Sequence, residues 1–277
     1  MFKHPDVTLR RVIQFEQRIE ASVLGAKTDL AVEYCDVSHP DETTARKKGP
    51  WVAVEPGFEW GPAYHMGWFR VKGAVPKDWE GSEVRLVAEL GGERTLWEDN
   101  SPVRGIDEPH WTCRLFDSAK GGTKIDLLVQ AYAMGNHIRV HGDVPERLPK
   151  VAKFEKAQLV VADPQHEQLM YDLKFGLSLL KGLQENDPAY ATVLRAMNEC
   201  CNLYDPAAAE SIGRCRKLIR DALGSLNGEL KHAITPVGHA HLDTAWLWPL
   251  RTTHLKMAHT SATQLYQMDR YPEYVFA

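Results

Sequence analysis

The sequence predicts a multi-domain α+β protein in which an antiparallel β-sandwich precedes a helical connector and a parallel α/β segment. Three observations support this. Short alternating apolar runs separated by turn residues fill the first part of the chain, three Asp-Pro pairs introduce helical stripes, and a strand–loop–helix–strand order closes it. We therefore expect an N-terminal helix plus β-sandwich at 1–162, a helical connector at 163–230, and an α/β segment at 231–277.

Length and composition exclude several classes of protein. The 277 residues have a formal net charge of −4, with 44% hydrophobic and 25% charged residues, which is ordinary for a globular chain with a sizeable core. No Lys/Arg-dense stretch supplies the footprint of a nucleic-acid binder. No apolar run is long enough for a transmembrane helix, and the charged start lacks the apolar centre of a secretory signal. We expect neither a nucleic-acid nor a membrane partner.

The five cysteines favour a reducing compartment. Their number is odd, none forms a Cys-x-x-Cys pair, and Cys200 and Cys201 are adjacent within a helical pattern. We interpret them as free thiols used as small apolar residues, and we expect a cytoplasmic protein. The pattern leaves the role of the adjacent pair open.

A helix and then a series of short strands are predicted before residue 163. Val12, Phe15, Ile19 and Val23 recur at helical spacing, with Asp6 or Thr8 as a candidate N-cap. The clearest strands are Trp68–Val71, Val84–Leu90, Thr95–Trp97, Lys124–Tyr132 and Ala157–Ala162. Six of the eight tryptophans lie in this region, and we expect most of them to pack in the core. Because sugars stack on aromatic rings, a carbohydrate-binding function stays open.

Three helices are predicted next, each introduced by an Asp-Pro pair. Asp163, Asp187 and Asp205 are candidate N-caps, and the proline that follows each suits the first helical turn. Apolar stripes follow all three pairs and predict buried faces of a small bundle.

The final stretch reads as the unit of a parallel α/β fold. We predict a buried strand at Ala233–Gly238, a loop from His239 to Trp248, a helix at 251–269 and a second strand at Tyr274–Phe276. The predicted apolar side of the helix consists of Leu255, Ala258, Leu265 and Met268.

The loop after the predicted strand holds a candidate metal site. His239, His241 and Asp243 alternate, so in an extended chain their side chains share one face at the carboxyl end of a strand. Imidazole nitrogen and carboxylate oxygen are zinc ligands, but such a pair supplies only half of a tetrahedral site. Taken alone, the pattern is also compatible with histidines that have a purely structural role.

The longer string is more specific. Gly238–Pro249, followed by Tyr271–Ala277, resembles the metal-binding strand of the family-38 glycoside hydrolases, the class II α-mannosidases, and is most similar to their cytosolic branch. Upstream, Trp68-Phe69-Arg70-Val71 with Val75–Gly81 and Val84-Arg85-Leu86 resembles the jelly-roll-like sandwich of these enzymes.

The resemblance implies a function. In this family the residues at the positions of His241 and Asp243 bind one Zn²⁺, which holds two adjacent hydroxyls of mannose. The resemblance places Trp246 near the sugar and gives His239 a role in orienting the ligands without binding the metal. It implies retaining hydrolysis of terminal α-linked mannose from mannose-containing oligosaccharides or glycans.

The resemblance also implies that the site is incomplete. No residue here matches the family's nucleophile, its acid/base residue or its last histidine ligand, so we expect no catalytic residue in this chain. A (β/α) barrel needs about 200 residues or more, which 231–277 cannot contain. We therefore predict an N-terminal portion that is inactive alone and ends in the first βα unit of an incomplete barrel, poorly ordered or held by neighbouring surfaces.

Two further readings stay open. The sandwich could be a carbohydrate-binding module, or a subunit-assembly module that forms a homo-oligomer. A metal-dependent hydrolase of another class, such as an amidohydrolase, is disfavoured by the sequence Trp-Leu-Trp-Pro that follows the motif.

Overall fold

The computed structural model describes residues 4–37, 49–107, 110–133, 151–226, 235–246 and 248–277. These residues form an α+β protein with antiparallel sheets and several helices, which confirms the predicted fold class. The chain divides into two compact units: Met1–Gly25 joins Ala162–Ile234, and Ala26–Val161 joins Thr235–Ala277. Of the predicted strand Ala233–Gly238, the first two residues lie outside the described part.

The first unit is helical. Its helices are α1 (Pro5–Ala21), α2 (Pro164–Gly182), α3 (Pro188–Leu203) and α4 (Glu210–Gly224). The stripe of α1 packs in one apolar cluster with residues of the other three helices, among them Leu169, Leu194 and Ile219. In the structure, α1 is therefore part of the helical bundle rather than of the sandwich.

Two of the three predicted helix starts are confirmed. The Asp163 carboxylate accepts hydrogen bonds from the backbone N–H groups of Gln165 and His166, and Asp187 accepts one from Ala189. The third is wrong, because α4 begins at Glu210. There the Asp205 side chain accepts the N–H of Ala207 in a turn, and the Ser211 hydroxyl bonds to the Asp205 backbone. These local bonds compete with a helix at Pro206.

The predicted cap of α1 is also wrong. Its N-cap residue is His4, which makes no side-chain cap hydrogen bond. The Thr8 hydroxyl instead donates to the His4 carbonyl oxygen at 3.2 Å.

The second unit contains the sandwich. Its described strands are β1 (Leu24–Asp29), β2 (Ala31–Val37), β3 (Val52–Val54), β4 (Glu59–Trp60), β5 (Met66–Ala74), β6 (Glu83–Glu89), β7 (Glu93–Glu98), β8 (Ser101–Ile106), β9 (Thr112–Phe116), β10 (Lys124–Tyr132), β11 (Ala152–Lys153) and β12 (Lys156–Ala162). All five predicted strands are confirmed. The one-turn helix Lys77–Trp79 lies between β5 and β6.

The strands form two main sheets. One has the order β3-β2-β5-β10-β7-β8, and the other has the order β1-β12-β6-β9. Neighbours in the six-stranded sheet are antiparallel, with Val129 of β10 opposite Phe69 of β5 and Leu96 of β7. Apolar residues of both sheets meet in a single core, for example Phe69 and Val129 from one sheet and Leu86 and Leu159 from the other.

The tryptophans mostly pack as expected. Trp60, Trp68 and Trp79 are buried, whereas the ring of Trp111 is 45% exposed. The Trp60 indole N–H donates to the Leu90 carbonyl oxygen at 2.7 Å, which provides a partner for a polar group that burial removes from water. None of the five cysteines forms a disulfide bond, and four of them are buried.

The last described segment contains helix α5 (Leu250–Arg270), which confirms the predicted helix. The preceding strand was predicted to be buried, which is wrong for its described residues, since Val237 is 51% exposed. Of the described residues 235–238, Gly238 alone forms a bridge, which is parallel and pairs it with Phe276. Among the described residues, none of the helices has the length and apolar character needed to cross a bilayer.

Candidate functional site

The parallel bridge positions the candidate metal-binding residues. The Gly238 N–H donates to the Val275 carbonyl oxygen at 2.7 Å, and the Ala277 N–H donates to the Gly238 carbonyl oxygen at 3.0 Å. The chain then continues without regular structure through His241 and Asp243. Both residues therefore follow directly after a parallel strand contact, at the end where α/β folds place functional groups.

The structure brings His241 and Asp243 together. Nε2 of His241 lies 3.0 Å from Oδ1 of Asp243. The histidine side chain is 76% exposed and that of the aspartate 40%. Both groups are thus within reach of a ligand from solvent.

The two accessory residues lie on either side of this pair. His239 points back to the bridge, where its Nδ1 lies 3.2 Å from the Ala277 carbonyl oxygen. Trp246 is 55% exposed, and its ring meets that of Trp248 edge-on at 6.3 Å between centroids. The structure therefore gives His239 a local backbone partner and leaves much of the Trp246 ring open.

The described residues fit zinc only in part. A nitrogen and a carboxylate oxygen belong to the preferred ligands of zinc, which takes four of them in structural sites and three in catalytic ones. Within the described ranges, no cluster of three or more His, Cys, Asp or Glu side chains could hold a metal ion. The pair offers two ligand groups at most, fewer than zinc takes in either kind of site.

Helix α5 is fixed to the sandwich by a polar face. The Thr252 hydroxyl donates to the Tyr132 hydroxyl at 2.7 Å, and the Thr263 hydroxyl accepts the Gly105 N–H at 3.0 Å. His259, between them on the helix, has its Nδ1 3.1 Å from the Arg94 carbonyl oxygen. Since β8 is an edge strand, the bond to Gly105 also covers an edge N–H group.

The predicted apolar side of α5 is accordingly wrong. The buried residues of this helix are Thr252, His259, Ala262 and Thr263, whereas Leu265 is 57% exposed. Of the predicted side, Leu255 does pack beside an apolar cluster around Trp68. The buried polar groups have partners, so the helix docks through hydrogen bonds rather than through a continuous apolar stripe.

One carboxylate organises this interface. Asp107 Oδ2 lies 3.0 Å from His259 Nε2, and Asp107 Oδ1 lies 2.9 Å from both the ring Nδ1 and the backbone N of His110. Burial by itself would raise the pKa of Asp107, but the hydrogen bonds from the two histidines outweigh it and hold that pKa well below its usual range. The Asp107 hydrogen bond raises the pKa of His110.

A cavity of about 640 Å³ lies beside the parallel bridge rather than at the candidate metal-binding pair. Its lining includes Val237, Gln264, Tyr271 and Tyr274. The Tyr274 hydroxyl donates to Oε1 of Gln264 at 2.6 Å, so part of the polar lining is already paired.

Sequence reasoning missed the residues that hold α5. Thr252, His259 and Thr263 do follow helical spacing, which was an available signal. They are polar, however, and a search for apolar stripes passes over them. Their partners Asp107 and Tyr132 are more than a hundred residues away in the chain, so no local pattern could have found them.

Two family models match separate parts of the chain. The one described as "Alpha-mannosidase, jelly roll domain" matches residues 27–160. The one described as "Glycosyl hydrolases family 38 N-terminal domain" matches residues 231–277. The second match contains the candidate metal-binding residues and helix α5.

Similar proteins are named as mannosidases. Alpha-mannosidase 2C1 of Homo sapiens is 30% identical in an alignment 292 residues long, which covers 99% of this chain and 28% of that protein. The Mus musculus protein of the same name is 29% identical, with the same shares covered. Alpha-mannosidase G of Dictyostelium discoideum is 22% identical over all of this chain and 27% of its own length. The chain thus spans little more than a quarter of the length of these relatives.

Proposed function

Since the chain belongs to the α-mannosidases of glycoside hydrolase family 38, we propose that it forms the N-terminal portion of a zinc-dependent, retaining α-mannosidase. In this proposal the intact protein hydrolyses terminal α-linked mannose from oligosaccharides or glycans, and His241 and Asp243 bind the metal. One observation carries it: within the region matched to the family's N-terminal domain, the two side chains lie 3.0 Å apart and face solvent.

The residues have distinct roles in this proposal. When bound, zinc would supply Lewis-acid assistance at the sugar hydroxyls. His241 offers a ring nitrogen and Asp243 a carboxylate oxygen, while His239 holds the start of the loop through its bond to the Ala277 backbone. The exposed ring of Trp246 offers an apolar face for a sugar.

Hydrolysis needs two carboxyl groups that we do not assign to this chain. The retaining reaction requires a carboxylate nucleophile and a carboxylic acid that protonates the departing oxygen. We assign neither role to a residue of this chain, and we propose that the chain alone is inactive. The odd number of cysteines and the lack of a Cys-x-x-Cys pair in the sequence support a cytoplasmic location, and self-association stays a prediction.

Zinc titration tests the ligand assignment. We expect the purified chain to bind Zn²⁺ weakly, and His241→Ala or Asp243→Ala to lower that affinity about tenfold, because each removes one of two ligands. His254→Ala is the matched control, since this exposed histidine lies nearby on α5. Unchanged zinc binding in both ligand variants would overturn the assignment.

Hydrolysis of an aryl α-mannoside tests the activity. We expect no turnover by the 277-residue chain, and zinc-dependent turnover once the chain is joined to the remaining barrel sequence of the family. In that longer protein, either ligand variant should be inactive. Clear zinc-dependent turnover by the short chain would show that the catalytic groups had been misplaced.

A sugar-binding sandwich is the second candidate function. Trp60, Trp68 and Trp79 are buried, so a sugar cannot stack on their rings. The exposed ring of Trp111 is available for such stacking. Saturable binding of mannose that does not depend on zinc, measured by calorimetry, would favour it over the enzymatic reading.

A further inference from the structure

A chain of contacts leads from the sandwich to the candidate metal site. It starts at Glu93, the first residue of strand β7, whose Oε1 and Oε2 lie 2.8 and 2.9 Å from Nζ of Lys256 on helix α5. The lysine side chain is only 11% exposed and that of the glutamate 29%. The ion pair is thus shielded from solvent, where such pairs contribute more than at an open surface.

The same lysine also contacts the loop. Its Nζ lies 4.7 Å from the centroid of the Trp248 ring, within the range of a cation–π interaction. The Trp248 indole N–H donates to the Thr253 hydroxyl at 3.2 Å. Trp248 is therefore held at its ring face by Lys256 and at its N–H by Thr253, and both partners lie in the first two turns of α5.

Trp248 in turn reaches both parts of the candidate site. Its ring supports that of Trp246 edge-on. Thr253 donates its hydroxyl to the carbonyl oxygen of Thr244, the residue after Asp243. A displacement of Trp248 would therefore also displace the ring of Trp246 and the turn that follows Asp243.

We propose that Glu93 and Lys256 are positioning residues, through which the sandwich holds Trp248 and thereby fixes Trp246 and the turn after Asp243. This inference rests on the proposed function, because it assigns a purpose to the same site. It makes the sandwich a structural part of the metal site, since Glu93 lies in the sandwich and contributes no atom to the site. A site of this kind depends on supports beyond its ligands for its geometry.

The ring pair can be observed directly. In protein labelled with 5-fluorotryptophan, the ¹⁹F resonances of Trp246 and Trp248 are assigned by single Trp→Phe substitutions. We expect Glu93→Gln and Lys256→Met to shift and sharpen both resonances, because the rings lose their support. Lys256→Arg, which keeps the charge for both contacts, should leave them close to their original positions.

Glu33→Gln is the matched control. Glu33 also pairs with a lysine on the sandwich, Lys72 at 2.7 Å, and its side chain is likewise 29% exposed. Within the described residues, Glu33 makes no hydrogen bond or ion pair with the loop at 239–248. If Glu93→Gln and Lys256→Met change the two resonances no more than Glu33→Gln does, the inference is wrong.

Zinc affinity separates this inference from the proposed function. We expect Glu93→Gln to weaken zinc binding by about threefold, less than the tenfold loss expected for either ligand variant, because Glu93 acts only through other residues. Glu33→Gln should have no effect. If the wild-type chain binds no zinc but its rings respond to Glu93→Gln, the function fails and the positioning role stands. If zinc binds through His241 and Asp243 but neither ring responds, the positioning role fails and the function stands.

Discussion

A single carboxylate, Asp107, joins two histidines that come from different parts of the second unit. His110 follows it closely in the chain, whereas His259 arrives from helix α5, 152 positions later. Arg104 lies nearby and opposes the rise in the pKa of His110 through its like charge. The carboxylate that α5 contacts is therefore shared with a second histidine, His110, whose pKa is raised.

The pKa shifts predict a pH dependence of stability. The pKa of His110 is raised in the folded state, so its contribution is fully present below about pH 6.5 and is lost as the pH rises through the raised value. The pKa of Asp107 is lowered, so its contribution is present above about pH 4 and is lost only in strong acid. We expect the free energy of unfolding of the wild type to fall between pH 6 and pH 9 by more than that of His110→Gln.

Urea denaturation at both pH values measures this difference. His254→Gln serves as the control, because His254 is exposed on α5 and lies outside the Asp107 contacts. An equal loss of stability in the wild type and both variants would contradict the prediction.

Single residues also mark what the sequence could predict of the site. His241 and Asp243 were predicted because their spacing and neighbours form one continuous string. Glu93, Asp107 and Tyr132 were not, because each acts through a partner far along the chain. Candidate ligands concentrated in one loop can be predicted from sequence, but groups that make contacts across the fold become apparent only after folding.

At the scale of elements, the interface between α5 and β8 has very little free space. A Cβ atom on Gly105 would lie 2.5 Å from the Thr263 hydroxyl oxygen and 2.6 Å from two atoms of the His259 ring. Such distances are shorter than van der Waals contact, so a methyl group there must push the helix away from the strand.

Gly105→Ala is therefore expected to destabilise the second unit by about 1–3 kcal/mol. Gly213→Ala is the control, since Gly213 is exposed on α4 and its Cβ would meet nothing within 4 Å. Alanine there should stabilise the helix by about 0.5–1 kcal/mol. Chemical denaturation of the two variants checks both signs. A neutral Gly105→Ala would mean that α5 does not rest on β8 in solution.

The elements themselves were predicted unevenly, for physical reasons. Strands such as β6 and β10 are short, largely apolar runs that lie between clear turn residues, and they were found almost to the residue. Helix α4 was placed too early, because the Asp205 turn uses the same residue types as a helix start. The buried face of α5 was misassigned, because hydrogen bonds rather than apolar contacts hold it.

At the scale of the molecule, the two compact units are each built from segments that are distant in sequence. The first helix closes the helical bundle, and the last helix packs on the sandwich. The predicted boundaries at 162/163 and 230/231 divide the chain in sequence order. The compact units instead depend on where each helix buries its apolar or polar face. The sequence of an amphipathic helix predicts that one face is buried, but it does not predict which other element covers that face.

The membership of α1 in the bundle leads to a final prediction. Phe15 is 3% exposed, and its ring meets that of Tyr204 edge-on at 5.5 Å between centroids. Phe15→Ala should cost the helical unit about 3–5 kcal/mol, whereas Ile13→Ala, at a position 37% exposed on the same helix, should change stability by about 0.5 kcal/mol or less. Hydrogen exchange locates the effect: with Phe15→Ala, amides of α2, α3 and α4 should exchange faster while those of β5 and β10 keep their protection. Faster exchange in the strands instead would mean that α1 supports the sandwich, as a strictly linear division of the chain requires.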